Sequence, residues 1–183
     1  MKHAIAALLS LLALPAHAEL KVGDVAPDFS APATLGGKRF SFSLAEALKE
    51  GPVVVYFYPA AFTSGCTVEA HLFAEAMPKF QQLGAKVIGV SSDDIATLDK
   101  FSVSECQSKF PVASDADHKI MKAYDAVFLW KTNYASRTSY LVTPDGKIAY
   151  TYTALSPDKH VANLLAAIEE WKAKETATTR PAP

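Results

Sequence analysis

The residue of this chain best suited to covalent chemistry is Cys66, because of what precedes it. Val53-Val54-Val55-Tyr56-Phe57-Tyr58 is an unbroken apolar run that stops at Pro59, and Thr63-Ser64-Gly65 leads into the cysteine. Six consecutive β-branched or aromatic residues predict a buried strand, and the Thr63–Gly65 stretch a loop. From Cys66 onward Val68, Leu72, Phe73, Ala76, Met77, Phe80 and Leu83 recur at helical spacing, which puts Cys66 in the first turn of a helix. Unpaired backbone N–H groups and the helix dipole favour an anion there, which suits the reactive thiolate.

A second cysteine, Cys106, leaves two readings of the pair open: a structural disulfide or a catalytic couple. The former gains weight because the chain opens like an exported protein. Met1-Lys2-His3 is weakly basic, Ala4 to Leu14 is apolar, and Ala16-His17-Ala18 fits a cleavage site, so residues 1–18 are expected to be a signal peptide cut after Ala18. The eleven-residue apolar run is too short to span a bilayer, so no membrane association is expected after cleavage. A periplasmic or otherwise exported location follows. The 183 residues, 50% of them hydrophobic, suffice for one packed domain, expected over 19–173 with a flexible tail over 174–183. A formal net charge of −1 offers no basic surface for nucleic acid.

The elements that must position Cys66 can be read in order. Ala31–Thr34 and Arg39–Phe42, joined across Gly36-Gly37, predict a hairpin, followed by a short helix near Leu44–Lys49. Strand Val53–Tyr58, helix Cys66–Leu83 stopped by Gly84, and strand Val87–Ser91 form a βαβ unit. Pro78 is expected to kink that helix. A second helix is expected over Asp94–Gln107, a short strand over Pro111–Ser114, and a hairpin of Thr138–Thr143 with Lys147–Tyr152 across Pro144-Asp145-Gly146. A last helix opens at Ser156-Pro157, with Val161, Leu164, Leu165 and Ile168 on one face. This order resembles a thioredoxin-like α/β fold: a central mixed sheet flanked by helices, with an N-terminal β-hairpin. Redox thioredoxins carry Cys-x-x-Cys at the same strand-to-helix junction. Here Thr63 replaces the first thiol, so dithiol exchange within the motif cannot occur.

Other candidates are weaker. Read alone, Thr63 has a helix cap as its alternative reading, Glu69 a surface carboxylate in a first helical turn, and Arg137 a solvated charge. His71, His118 and His160 show no ligand spacing with the cysteines, so no metal site is expected. Asp93-Asp94 and Asp115-Ala116-Asp117 look like helix-start caps. Phe128-Leu129-Trp130 is expected to pack against the core, with cover for the active site or a partner contact as the alternative.

Pro59-x-x-x-Thr63-x-x-Cys66 resembles the peroxiredoxin active-site signature, and Phe62-Thr63-x-Gly65-Cys66-Thr67-x-Glu69 is similar to its bacterioferritin-comigratory or Q-type branch. The likeness extends through Gly23-Asp24-x-Ala26-Pro27-Asp28-Phe29, Val87-Ile88-Gly89-Val90-Ser91, Phe110-Pro111-x-x-Ser114-Asp115 and Arg137-Thr138 to Val142-x-Pro144-Asp145-Gly146-Lys147-Ile148. Ser64, where many relatives carry proline, is a departure.

The resemblance implies a thiol-dependent peroxidase working without haem, flavin, metal or other cofactor. Cys66 would attack a hydrogen peroxide or organic hydroperoxide oxygen and become a sulfenic acid. Thr63 and Arg137 would hold the oxygens and the thiolate, Pro59 would shield the site, and Glu69 would orient Arg137. In one group of the branch the resolving cysteine lies five residues past the nucleophile, where this chain has His71. The other arrangement puts it in the next helix and assigns Cys106, which would form a Cys66–Cys106 disulfide reopened by a thioredoxin-like or other dithiol protein. Read from its own helix face, Cys106 is alternatively an inert, partly buried thiol, the less favoured reading. An in-chain resolving cysteine removes the need for a dimer, so a monomer is expected. The competing functions are an exported thioredoxin-like disulfide reductase or isomerase, disfavoured by Thr63, and a non-enzymatic thioredoxin-fold binding or metallochaperone module with a structural disulfide.

Overall fold

A computed structural model describes residues 20–179. The expected signal peptide and its cleavage site lie outside the described residues. The chain forms β1 (Ser30–Leu35), β2 (Lys38–Ser43), α1 (Leu44–Leu48), β3 (Val53–Phe57), α2 (Ser64–Gln82), β4 (Lys86–Ser91) and α3 (Ile95–Ser104). There follow β5 (Val112–Ser114), α4 (Lys119–Ala123), β6 (Val127–Phe128), β7 (Lys131–Ala135), β8 (Thr138–Val142), β9 (Ile148–Thr153) and α5 (His160–Thr179). The closing helix thus continues past residue 173, where a flexible tail is expected from the small, charged composition. Helix α2 runs unbroken through Pro78.

Seven strands make one mixed sheet in the order β2-β1-β5-β4-β3-β8-β9, the architecture anticipated from the element order. β3 lies parallel to β4 and antiparallel to β8. Its continuous apolar run is explained by burial on both faces: Val53, Val55 and Phe57 face a core with Phe29, Leu44, Tyr124 and Tyr140. Val54, Tyr56 and Tyr58 face the opposite core, with Phe73 and Phe80 of α2, Phe101 of α3, and Leu164 and Ile168 of α5. The Tyr56 and Phe73 rings stack at 4.2 Å and lock α2 onto the sheet. Gly89 makes room for this, since a Cβ there would stand 2.8 Å from the Tyr56 hydroxyl.

Two further expectations change. Helix α3 stops at Ser104, so Cys106 lies in the turn beyond it rather than within a helix reaching Gln107. Its backbone N–H reaches back to the Phe101 carbonyl at 3.1 Å, and Gln107 and Ser108 then take φ of +52° and +57°. The Phe128-Leu129-Trp130 cluster turns outward: Leu129 and Trp130 are each 87% exposed at the tip of the β6–β7 ribbon. A two-residue strand and a short ribbon leave too little periodicity to be read from sequence, and here the apolar residues mark a turn rather than a core face.

Candidate active site

The chain leaves β3 at Phe57 and crosses Tyr58 to Phe62 before α2 begins. Asp93, just past β4, holds this loop by accepting hydrogen bonds from the Ala61 backbone N–H at 2.7 Å and the Ser91 hydroxyl at 2.8 Å. Only Asp94, its neighbour, caps α3, accepting from the Thr97 N–H at 2.9 Å. Two adjacent aspartates that read alike therefore do different work. Phe62 takes a φ of +63° and sets its ring edge-on to Phe101 at 5.3 Å, closing the loop over α3. Thr63 occupies the N-cap position but makes no side-chain cap; its hydroxyl donates to the Ala60 carbonyl at 3.0 Å, which leaves its oxygen free to accept. Pro59 is half-buried at the head of the same loop.

Cys66 is the third residue of α2 and is nearly buried, at 2% exposure. The first intrahelical bond here is made by the Thr67 N–H to the Thr63 carbonyl, so the Cys66 N–H belongs to the unpaired first turn. Sheet register brings Arg137 to it. Phe57 pairs with Thr138, which places Arg137 beside the point where β3 releases the chain, and Thr138 pairs with Thr153 on the other side. Arg137 Nη2 donates to Cys66 Sγ at 3.5 Å across a sequence separation of 71 residues. Its Nε donates to the Leu155 carbonyl at 2.9 Å, and its Nη1 donates to Glu69 Oε2. Gly65 permits this approach, since a Cβ there would lie 3.0 Å from Nη2.

Glu69, one turn after Cys66 on the inward face of α2, is fully buried rather than on the surface. Burial pushes its carboxyl up to about 7, with the Arg137 charge and hydrogen bond pulling the other way. For Arg137, burial opposes the charge, but Glu69 and Cys66 outweigh it and hold the guanidinium above its ordinary value. The guanidinium is thus a permanent cation, fixed through all three nitrogens and only 6% exposed. It can stabilise negative charge on sulfur and on an oxygen approaching it.

Sequence reasoning missed one member of this cluster. His160, the first residue of α5, is buried with Nδ1 3.8 Å from Glu69 Oε1. Its Nε2 donates to the Ala154 carbonyl at 3.1 Å, and Nδ1 shares a hydrogen bond of 2.8 Å with the Ser139 hydroxyl. Burial lowers its pKa against the effect of the Ala154 carbonyl, and Arg137 lowers it further, which favours the neutral ring. No spacing in the sequence marks it.

The structure does not bring Cys106 into this cluster. It is a free, fully buried thiol beyond α3, and burial, with the Glu105 charge adding, pushes its pKa far up. Cys66 is likewise free, so both thiols are unbonded here. Tyr56, buried with its hydroxyl unpaired, lies in the electrostatic range of both cysteines.

A thioredoxin-like scaffold with a fixed cation on the sulfur of a helix-start cysteine defines a thiol-based oxidoreductase. Comparison with known proteins narrows that class. The AhpC/TSA family model matches residues 22–151. Peroxiredoxin Bcp of Escherichia coli K12 is 33% identical over 146 residues, 77% of this chain and 90% of its own length. The chloroplastic peroxiredoxin Q of Oryza sativa subsp. japonica is 34% identical over 144 residues, 78% of this chain and 64% of its own. The crystal structure of the peroxidoxin BcpB from Mycobacterium tuberculosis superposes with a TM-score of 0.76 at 30% identity, covering 83% of this chain and 98% of that one. The chain belongs to the AhpC/TSA family and is a peroxiredoxin, an oxidoreductase of the peroxidase kind, similar to the Bcp and Q members.

Proposed function

We propose that this peroxiredoxin reduces hydrogen peroxide and small organic hydroperoxides through Cys66. The Cys66 thiolate attacks the terminal peroxide oxygen; the O–O bond breaks, sulfur becomes a sulfenic acid, and the departing oxygen takes a proton to leave as water or an alcohol. Arg137 stabilises the thiolate and the negative charge that gathers on the oxygens, without giving up a proton. The Thr63 hydroxyl and the Cys66 N–H complete the set of polar groups around the peroxide. Pro59 restricts water, and Glu69 holds Arg137 in register, with His160 behind it. The observation that carries this reading is Arg137 Nη2 at 3.5 Å from Cys66 Sγ, with its other two nitrogens fixed.

In the second half of the cycle Cys106 closes an intramolecular disulfide with Cys66, and an external thioredoxin-like dithiol protein reopens it, so a monomer suffices. Consumption of peroxide by reduced, metal-free protein tests the reading, with turnover when a dithiol protein and its reductase are supplied. No peroxide loss would remove it, and disulfide exchange without peroxide would favour the reductase alternative. We also propose export, from the basic start, short apolar run and Ala16-His17-Ala18. Intact-mass measurement after cell fractionation should find an exported species beginning at Glu19; a full-length cytosolic product would refute it.

A further inference from the structure

Cys106 is fully buried, and burial with the Glu105 charge raises its pKa, so opening of the turn that carries it favours ionisation and movement of the thiol. That turn is already poised to open. Gln107 and Ser108 are consecutive non-glycine residues in the left-handed region, at φ of +52° and +57°, a backbone that L side chains disfavour. They are held by the Ser108 N–H on the Ser102 carbonyl at 2.9 Å and the Lys109 N–H on the Cys106 carbonyl at 3.0 Å.

One side-chain contact ties this turn to the helix of the other cysteine. His71 Nε2, on α2, stands 3.0 Å from Glu105 Oε2, and Glu105 immediately precedes Cys106. A carboxylate only accepts, so any hydrogen shared between the two atoms is carried by Nε2. Glu105 is the more covered partner, its side chain 19% exposed against 44% for His71.

We propose that the His71–Glu105 pair is a latch that holds the strained Cys106 turn closed and sets the rate of disulfide formation after Cys66 is oxidised. His71 and Glu105 are positioning residues, acting through the backbone of Cys106. This rests on the resolving role of Cys106. When the latch parts, the Cys106 sulfur attacks the sulfenic sulfur of Cys66. The S–O bond breaks, the S–S bond forms, and the hydroxyl leaves as water with the proton Cys106 gives up. Cys106 sulfur is oxidised and Cys66 sulfur reduced, the oxidising equivalent having come from the peroxide. A closed latch prolongs the sulfenic acid and exposes it to a second peroxide; an open one protects it.

The experiment compares the full chain with His71→Ala, Glu105→Ala and the double variant. Each reduced protein is mixed with hydrogen peroxide, quenched over time, alkylated and weighed by mass spectrometry, with amide hydrogen exchange of the Cys106–Lys109 segment measured in parallel. Each single variant should form the disulfide about two- to fivefold faster, the scale of a partly exposed ion pair. The double variant should be no faster than the singles, because they remove the same contact. Sulfenic acid formation should be unchanged, sulfinic acid reduced, and exchange in the turn faster by a similar factor. His71→Ala is the cleaner arm because it leaves the Glu105 charge beside Cys106 in place. An unchanged or slower disulfide rate in folded His71→Ala overturns the latch alone. Absence of any Cys66–Cys106 bond in the unsubstituted chain overturns the resolving role of Cys106, and the latch with it.

Discussion

The two cysteines sit in opposite kinds of surroundings. Around Cys66 the positioning contacts are several: Arg137 is held by Glu69 and the Leu155 carbonyl, the loop by Asp93, and the helix by Tyr56 against Phe73. Around Cys106 the backbone is strained, and the His71–Glu105 pair reaches across to α2. Attack on a peroxide gains from groups fixed before reaction, whereas closing a disulfide between separate elements needs one of them to move. Rigidity and strain are thus divided between two ends of one site, each suited to the step proposed for it.

The sharpest way to break this comparison is to substitute each cysteine in turn. Cys66→Ser should abolish peroxide turnover, because a serine hydroxyl is a poor nucleophile at neutral pH and cannot form a sulfenic acid. Cys106→Ser should keep the first reduction, stall as a sulfenic acid, and over-oxidise at higher peroxide, all visible by mass spectrometry. Arg137→Ala should slow the peroxide step by about a hundredfold in stopped-flow kinetics, the scale of a lost charge-stabilising donor. Arg137→Lys guards against the cost of leaving Glu69 buried without its partner, and should still be slow because an ammonium cannot span Glu69, Leu155 and the sulfur at once. A smaller loss, about tenfold, is expected for Gly65→Ala, whose Cβ would push the guanidinium out of line.

Stability against pH gives the mildest test of the rigid half. Glu69 titrates near 7 when folded and near its ordinary value of 4.5 when unfolded. Between those values the folded chain keeps a proton that the unfolded chain releases, so stability declines as pH rises through the window and then levels off. The decline attributable to this group is on the order of 3 kcal/mol. Denaturant titrations from pH 4 to 8 should show it in the parent and a flatter profile in Glu69→Gln.

What the sequence revealed follows the range of the interactions. The β3–loop–α2 segment was legible because its signals are local: an apolar run, a proline, a glycine and helical periodicity, all between Val53 and Leu83. Arg137 could be singled out only by family resemblance, since its meeting with Cys66 depends on the β3–β8 register. The burial of Glu69 was illegible because a first-turn carboxylate looks the same whether it faces water or a guanidinium. His160 was invisible for the same reason, at the start of a helix that reaches the site only through tertiary packing. The end of α3 was misjudged because Gln107 and Ser108 adopt a glycine-like backbone without being glycine.

The central claim is that one fixed cysteine reacts and one latched cysteine follows. Mass spectrometry of the fully reduced protein after one equivalent of hydrogen peroxide tests it directly. Loss of two hydrogens and a peptide pair joined through Cys66 and Cys106 are expected, with a Cys66 sulfenic acid trapped at earlier times. Protein left unoxidised, or oxidised first at Cys106, would contradict it.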